Sequence, residues 1–305
     1  MATAGTLYEV DPVTKPVSEA RDQTNAVAAG HPYFTASVAG AKDEAKILDP
    51  NSRFTVVSSE WDIGKQDNQI NDFIAAGVNL ILLNAADPQA IGPAVKRAKN
   101  LGIVVAAFDV AAEGADVTVM TDNVKAGAIS CEELAKQIGQ KGDVVIINGP
   151  SVSSVIDRVA GCKSALAKYP DIKITSDNQN PGAGRDGGLK AMQGFLTRFP
   201  HIDGVFAIND EQAIGADLAA KQVNRNEMKI AAVDGSPAGI DAIRSGTSRI
   251  VVTASQDPYQ MAVEAVDMGA QVLNGKKLDK STILLTPKLV TAQNAAQTEG
   301  WPMHK

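Results

Sequence analysis

The chain has 305 residues, 44% of them hydrophobic and 21% charged, and its 35 acidic and 29 basic side chains leave a net charge of −6. That balance fits a globular protein with room for two domains. With no Lys/Arg cluster to offset the acidity, it excludes the clustered phosphate contacts of nucleic-acid binding.

In chain order, residues 1–30 carry Glu9, Asp11, Lys15, Glu19, Arg21 and Asp22 and no apolar stretch of secretory-signal length, so export and retention both stay open. A helix is predicted at Tyr33–Ile47. Of the two strand candidates before it, Thr6–Val10 lies far upstream and Ala26–Ala29 is adjacent. Asp and Asn are poor strand formers. The expectation is therefore that residues 1–21 lie outside the core and that the first strand is short, over about 25–29.

From residue 52 strands and helices alternate. Strands are predicted at Phe54–Val57, Val78–Leu83, Ile103–Phe108, Val117–Met120, Val144–Ile147, Ile172–Thr175, Gly204–Ala207, Lys229–Val233 and Ile250–Thr253. Helices fall at Lys65–Ala76, Ala90–Asn100, Val124–Gly139, Ser154–Lys168, Gly188–Thr197, Glu211–Gln222, Ala238–Arg244 and Tyr259–Leu273. Short aliphatic strands joined by helices imply an α/β protein with doubly wound parallel sheets and right-handed crossovers. This many strands divide better into two sheets than one, and the break at Glu113–Asn123 is the best boundary. No apolar run approaches the roughly 20 residues of a membrane span.

Four of the strands deliver a small polar side chain at the carboxyl end, just before a helix: Asn84, Asp109, Asn209 and Asp234. In open α/β sheets ligands bind at such ends. The two cysteines, Cys131 and Cys162, sit in helical patterns on either side of the strand near Val144. A bridge is possible if their Cα atoms come within about 7 Å; the alternative is two small buried residues. Neither has a His or second Cys at metal-ligand spacing.

Six segments in one order resemble a known family: HPYF (31–34), NAADPQAIGPAVKRA (84–98), TDN (121–123), NGPSVSSVIDRVAGC (148–162), MQGFLTRFPHIDGVFAINDEQAIGA (192–216) and VDGSPAGIDAIRSG (233–246). They are similar to the type I periplasmic solute-binding proteins of the ribose/galactose type, which serve ABC importers. The resemblance implies two doubly wound lobes joined by a three-crossing hinge: lobe 1 from 22–122 plus 257–286, lobe 2 from 123–256 plus 287–305, with 1–21 poorly defined. It implies a neutral sugar or sugar alcohol captured between the lobes. Tyr33 and Phe34 would stack on it beside His31, and Asp109 and Asp234 would accept its hydroxyls. Arg158 would donate, and Asn209 and Gln256 would do both. It further implies a periplasmic monomer that delivers its ligand to a membrane permease, a role compatible with presentation to a chemoreceptor, with no cofactor and no metal. Export favours a Cys131–Cys162 disulfide.

The departures narrow the ligand. Where the family's ribose binders carry an arginine after the first carboxylate, this chain has Val110; where they carry an asparagine before the proline, it has His31; and the second-lobe aromatic falls near Ala183. These changes argue against D-ribose itself and for another pentose, a hexose or a sugar alcohol. The alternative function is the effector-binding domain of a sugar-responsive repressor, a fold relative, but residues 1–30 are too short and acidic for its DNA-binding helices. Enzymatic readings are poorer still. Gly182-Ala183-Gly184 lacks the dinucleotide-loop spacing, and none of the three His residues, His31, His201 and His304, has a nucleophile partner in a recognisable elbow.

Overall fold

The structure is a computed structural model that describes residues 6–11 and 32–301. These divide into two compact units. The first takes the described residues up to Met120 together with Asp257–Leu285, and the second takes Thr121–Gln256 together with Thr286–Trp301.

In chain order the first unit contains β1 (Thr6–Asp11), α1 (Pro32–Leu48), β2 (Arg53–Ser58), α2 (Ile63–Ala76), β3 (Leu80–Leu83), α3 (Gly92–Asn100), β4 (Val104–Phe108) and β5 (Val117–Thr121), the last ending at the junction. The second continues with α4 (Asn123–Gln137), β6 (Gly142–Ile147), α5 (Ser153–Leu166), β7 (Ile172–Ser176) and α6 (Arg185–Arg198). It then adds β8 (Gly204–Ala207), α7 (Asp210–Gln222), β9 (Lys229–Asp234), α8 (Pro237–Arg244) and β10 (Ile250–Ser255). The chain returns to the first unit for α9 (Pro258–Leu273) and β11 (Thr282–Leu285), then to the second for β12 (Lys288–Thr291) and a 3-10 turn at Ala295–Gln297.

The first sheet has the order β11-β5-β4-β3-β1-β2 and the second β12-β10-β9-β8-β6-β7. In the first, β3, β4 and β5 run parallel. In the second, β7, β6, β8, β9 and β10 do. Every residue of β3, β4 and β8 is buried, as strands covered on both faces must be. The α/β class with doubly wound sheets is thus as the strand pattern predicts.

The amino terminus overturns its expectation. Thr6–Asp11 is inside the first sheet, antiparallel to β2 from Thr6↔Ser58 to Asp11↔Arg53 and antiparallel to β3 from Leu7↔Leu83 to Val10↔Leu80. The stretch TLYEVD is free of Gly and Pro and rich in β-branched, aromatic and aliphatic residues. Its strand propensity outweighs its distance along the chain from α1. The competing strand at 25–29 lies outside the described residues. Strands β11 and β12, which close the far edges of the two sheets, had no expectation at all. They are short, and β12 joins antiparallel to β10, so neither belongs to a strand–helix repeat.

Helices α4 and α5 are bound closely together. A side-chain carbon on Gly127 would collide with the carbonyl of Arg158, and one on Gly161 with that of Val124, so glycine is required at this crossing. Cys131 and Cys162 form a disulfide across it, with Cα atoms 5.0 Å apart.

Candidate functional site

In the first unit the polar residues gather at the carboxyl ends of β3 and β4. Asp109 follows β4 with φ 60°, a left-handed conformation that is costly without glycine. Its amide donates to the Val119 carbonyl at 2.9 Å, which ties it to β5. The Asn84 side-chain amide donates to Asp109 Oδ2 at 2.9 Å. Asn84 is held in turn by Gln66, which donates to its carbonyl at 2.9 Å and accepts from Ala86 N at 2.8 Å. Asn84 Oδ1 is buried and has no donor among the described residues, a cost of roughly 1–3 kcal/mol. Tyr33 and Phe34, in the first turn of α1, are both buried and pack edge-to-face with ring centroids 5.4 Å apart. The Tyr33 hydroxyl also reaches Met261 Sδ on α9 at 3.5 Å. His31 lies outside the described residues.

In the second unit the polar side chains close a ring. Asp234 ends β9 with φ 140°, followed by Gly235 at φ 64°. Gln256 Nε2 donates to Asp234 Oδ1 at 2.6 Å, and its Oε1 accepts from Thr121 Oγ1 at 3.0 Å. Arg158, from α5, lies with Nη1 3.5 Å from Asp234 Oδ1 and donates to the Ile208 carbonyl at 2.8 Å. Its Nε donates to Asn123 Oδ1 at 2.8 Å, and Asn123 Nδ2 returns to the Thr121 carbonyl at 3.0 Å. Arg158 and Asp234 are 4% and 2% exposed. A buried pair of this kind depends on each charge meeting further hydrogen bonds, and both do. Asn209 caps α7 by accepting from Gln212 N at 2.9 Å, and its amide donates to the Ala183 carbonyl at 2.8 Å.

Behind this ring lies Asp210, fully buried. Its carboxylate accepts from Ser236 N and Ser236 Oγ, each at 2.8 Å, and from Thr253 Oγ1 at 2.7 Å. Burial pushes its carboxyl up to about 6, against the pull of those three donors.

Among the candidates, the structure joins Arg158, Asp234 and Gln256 directly. Asn209 is held apart from them as a helix cap, and Asp109 belongs to the other unit. Sequence reasoning missed Thr121 and Asn123 as ring members, although both fall in the TDN segment. It left Asn84 as a strand end without a task. It had no signal for Trp301, whose indole N–H donates to the carbonyls of Asp234 and Gln256, 67 and 45 positions earlier.

Comparison with known proteins gives the arrangement its context. The periplasmic binding protein domain matches residues 26–277. The ribose import binding protein RbsB of Salmonella typhimurium is 31% identical over 251 residues, 81% of this chain and 83% of that protein. The chain belongs to the periplasmic binding protein family. A second family member, the xylitol-binding protein of Mycolicibacterium smegmatis, is 36% identical over 193 residues, 62% of this chain and 55% of that protein. Among solved structures, an ABC transporter solute-binding protein from Actinobacillus succinogenes with bound D-allose superimposes with a TM-score of 0.80 at 27% identity, covering 88% of this chain and 96% of that one. Val110 is fully buried, and Ala183 offers a backbone carbonyl to Asn209. Among the described residues no cluster of His, Cys, Asp and Glu could hold a metal ion, and no helix is long and apolar enough to cross a membrane.

Proposed function

We propose that this chain captures a neutral sugar or sugar alcohol and delivers it to an ABC importer, acting as a monomer on the periplasmic side of the membrane. The observation that carries the reading is a repeated motif. In each unit a carboxylate at the end of a parallel strand, in a positive-φ backbone, is paired with a side-chain amide: Asp109 with Asn84 at 2.9 Å, Asp234 with Gln256 at 2.6 Å. A carboxylate offers two acceptor oxygens and bonds hydroxyls more strongly than a neutral group does. An amide beside it orients those oxygens. Backbone strain of this kind is kept where the surroundings over-determine it, as at binding sites.

Each carboxylate–amide pair is suited to accept polyol hydroxyls. Arg158 adds a fixed donor, Asn209 its remaining amide hydrogen, and Tyr33 and Phe34 the apolar surface that sugar C–H faces require. The buried acceptor Asn84 Oδ1 is one that a ligand hydroxyl would relieve. Val110 in place of an arginine, and Ala183 in place of a ring, support a sugar alcohol or a sugar other than D-ribose. The likeness to the xylitol-binding protein supports the same choice. The importer reading is favoured over a repressor domain because the relatives at 31% and 36% identity are import or polyol-binding proteins.

The test is a thermal-shift screen with xylitol, other pentitols, D-allose, D-ribose and other pentoses and hexoses, since a ligand bound only by the folded form raises the melting temperature. A rise with at least one of them, lost in Asp109→Ala and in Asp234→Ala, is expected. Each substitution weakens binding by roughly 1.5–3 kcal/mol, the range for a hydrogen bond to a charged group. No shift with any compound would overturn the function, and full binding by both variants would overturn the site.

A further inference from the structure

The backbone that carries the polar ring of the second unit is bonded by a residue far along the chain. The Trp301 indole N–H is shared between the Asp234 carbonyl at 3.1 Å and the Gln256 carbonyl at 2.9 Å. Those strand ends are already joined, since Gln256 N donates to the same Asp234 carbonyl at 2.8 Å. The indole is 6% exposed, and an N–H of this type can only donate, so its two acceptors are what make its burial tolerable.

The segment that carries the ring is strapped down independently. Arg244 on α8 donates to the Ala295 carbonyl at 2.8 Å and to the Thr298 carbonyl at 2.6 Å. Gly300 lies against Pro237, where a side-chain carbon would come within 2.9 Å of the proline ring. Asp210 holds the same turn through Ser236. The strained pair Asp234 and Gly235 is therefore gripped by a carboxylate at Ser236 and by an indole at the Asp234 carbonyl.

We propose that Trp301 is a positioning residue of the ligand site: its N–H sets the spacing of the β9 and β10 ends and thereby aims the Asp234 carboxylate and the Gln256 amide. This rests on the reading of Asp234 and Gln256 as ligand contacts. Trp301 also becomes an optical reporter. The chain has only two tryptophans, Trp61 and Trp301, and the second is bonded to the backbone of the site.

The test is Trp301→Phe, which keeps a ring in the packing and removes the donor. Two readouts apply. Amide hydrogen exchange in the ligand-free protein should speed up by about tenfold at residues 234–236 and 256, the size of one lost hydrogen bond, and stay unchanged in the first unit. Titration calorimetry with whichever of xylitol, D-allose or D-ribose binds the wild type should show affinity weakened by about tenfold. A merely structural role would lower the melting temperature while leaving the affinity of the folded protein intact.

Unchanged exchange together with unchanged affinity would overturn the proposal. Asp234→Ala separates the failures: if it abolishes binding while Trp301→Phe does nothing, only the positioning role falls; if it too binds normally, the site falls and the role with it. Should none of the three compounds bind the wild type, the titration uses whichever other pentitol, pentose or hexose raises its melting temperature, and the functional reading fails on its own if none does.

Discussion

The two sheets line up slot for slot, β2-β1-β3-β4-β5-β11 against β7-β6-β8-β9-β10-β12, yet the second slot is filled in opposite ways. In one, β6 (GDVVII) runs parallel to both neighbours. In the other, β1 (TLYEVD) runs antiparallel to both. A parallel strand covered on both faces wants a continuous apolar run, which β6 supplies and β1 does not. The slot itself is demanded by the unpaired edges of β2 and β3, since backbone groups left without partners are costly wherever they are buried. The gap must be filled, but the residues at hand decide the direction. The anchoring of the two units differs as well. The second carries a disulfide and a closed ring of polar side chains, and the first a carboxylate–amide pair on a glutamine bracket.

The largest expected effect tests that difference in anchoring. Arg158→Met removes the guanidinium beside the buried Asp234 and the Nε donor to Asn123. Removing one member of such a pair costs roughly 3–5 kcal/mol. Asp109→Asn in the first unit keeps the shape and an acceptor and should cost about 1 kcal/mol. Urea melts of the two variants decide it: equal losses would show that the ring is no stronger an anchor than the single pair.

Reduction of the disulfide comes next. Cys131 and Cys162 are 31 positions apart, a loop whose closure is worth about 3–4 kcal/mol. Reduced protein should become more open to proteolysis in α4 and α5, while cleavage of the first unit stays unchanged. Thiol titration of denatured, unreduced protein made under oxidising conditions should find no free thiol; two would sink the claim.

The strand comparison can be broken directly with proline. Tyr8 pairs with Val56 on one side and Leu82 on the other. Proline there removes an N–H that one ladder needs, at about 1–3 kcal/mol. Hydrogen exchange should quicken in β2 and β3 and stay unchanged in the second unit. If Tyr8→Pro left β2 and β3 as protected as before, β1 would not be part of the sheet's fabric.

The parallel core was legible because its signal is local. LILL, VVAAF and GVFA are short, apolar and followed by helices, and each became a strand buried throughout. The same local logic located Asp109 and Asp234 at strand ends. Partnership was harder to read. Arg158 meets Asn123 across 35 positions and Gln256 meets Thr121 across 135, and no spacing rule links residues on different strands and helices. Trp301 was invisible because its task is to donate to carbonyls, which every residue has. At β1 the misreading came from expecting the first strand directly before α1, which a strand antiparallel to both of its neighbours need not be.

The smallest effect concerns the carboxylate that grips the Asp234 turn. Burial raises Asp210 from 3.8 to about 6, so the folded protein binds this proton more tightly than the unfolded chain does. The stability tied to that proton is present at low pH and is lost as pH rises through about 6. Acidification from pH 7 to pH 5 should therefore stabilise the protein through this group by about 1 kcal/mol. Asp217 does not enter the same window. Although burial raises it, hydrogen bonds from Lys221, Arg249 and Ser248 hold it below the ordinary carboxylate value, so its contribution is lost only at more acid pH. Asp210→Asn replaces the carboxylate with a group of the same shape that cannot titrate. Subtracting its urea stability from that of the wild type at each pH cancels every other titrating group. The difference should shift in favour of the wild type between pH 7 and pH 5. A difference that stays flat across that range would mean that Asp210 takes up no extra proton on folding, and that its three donors hold it as a carboxylate throughout.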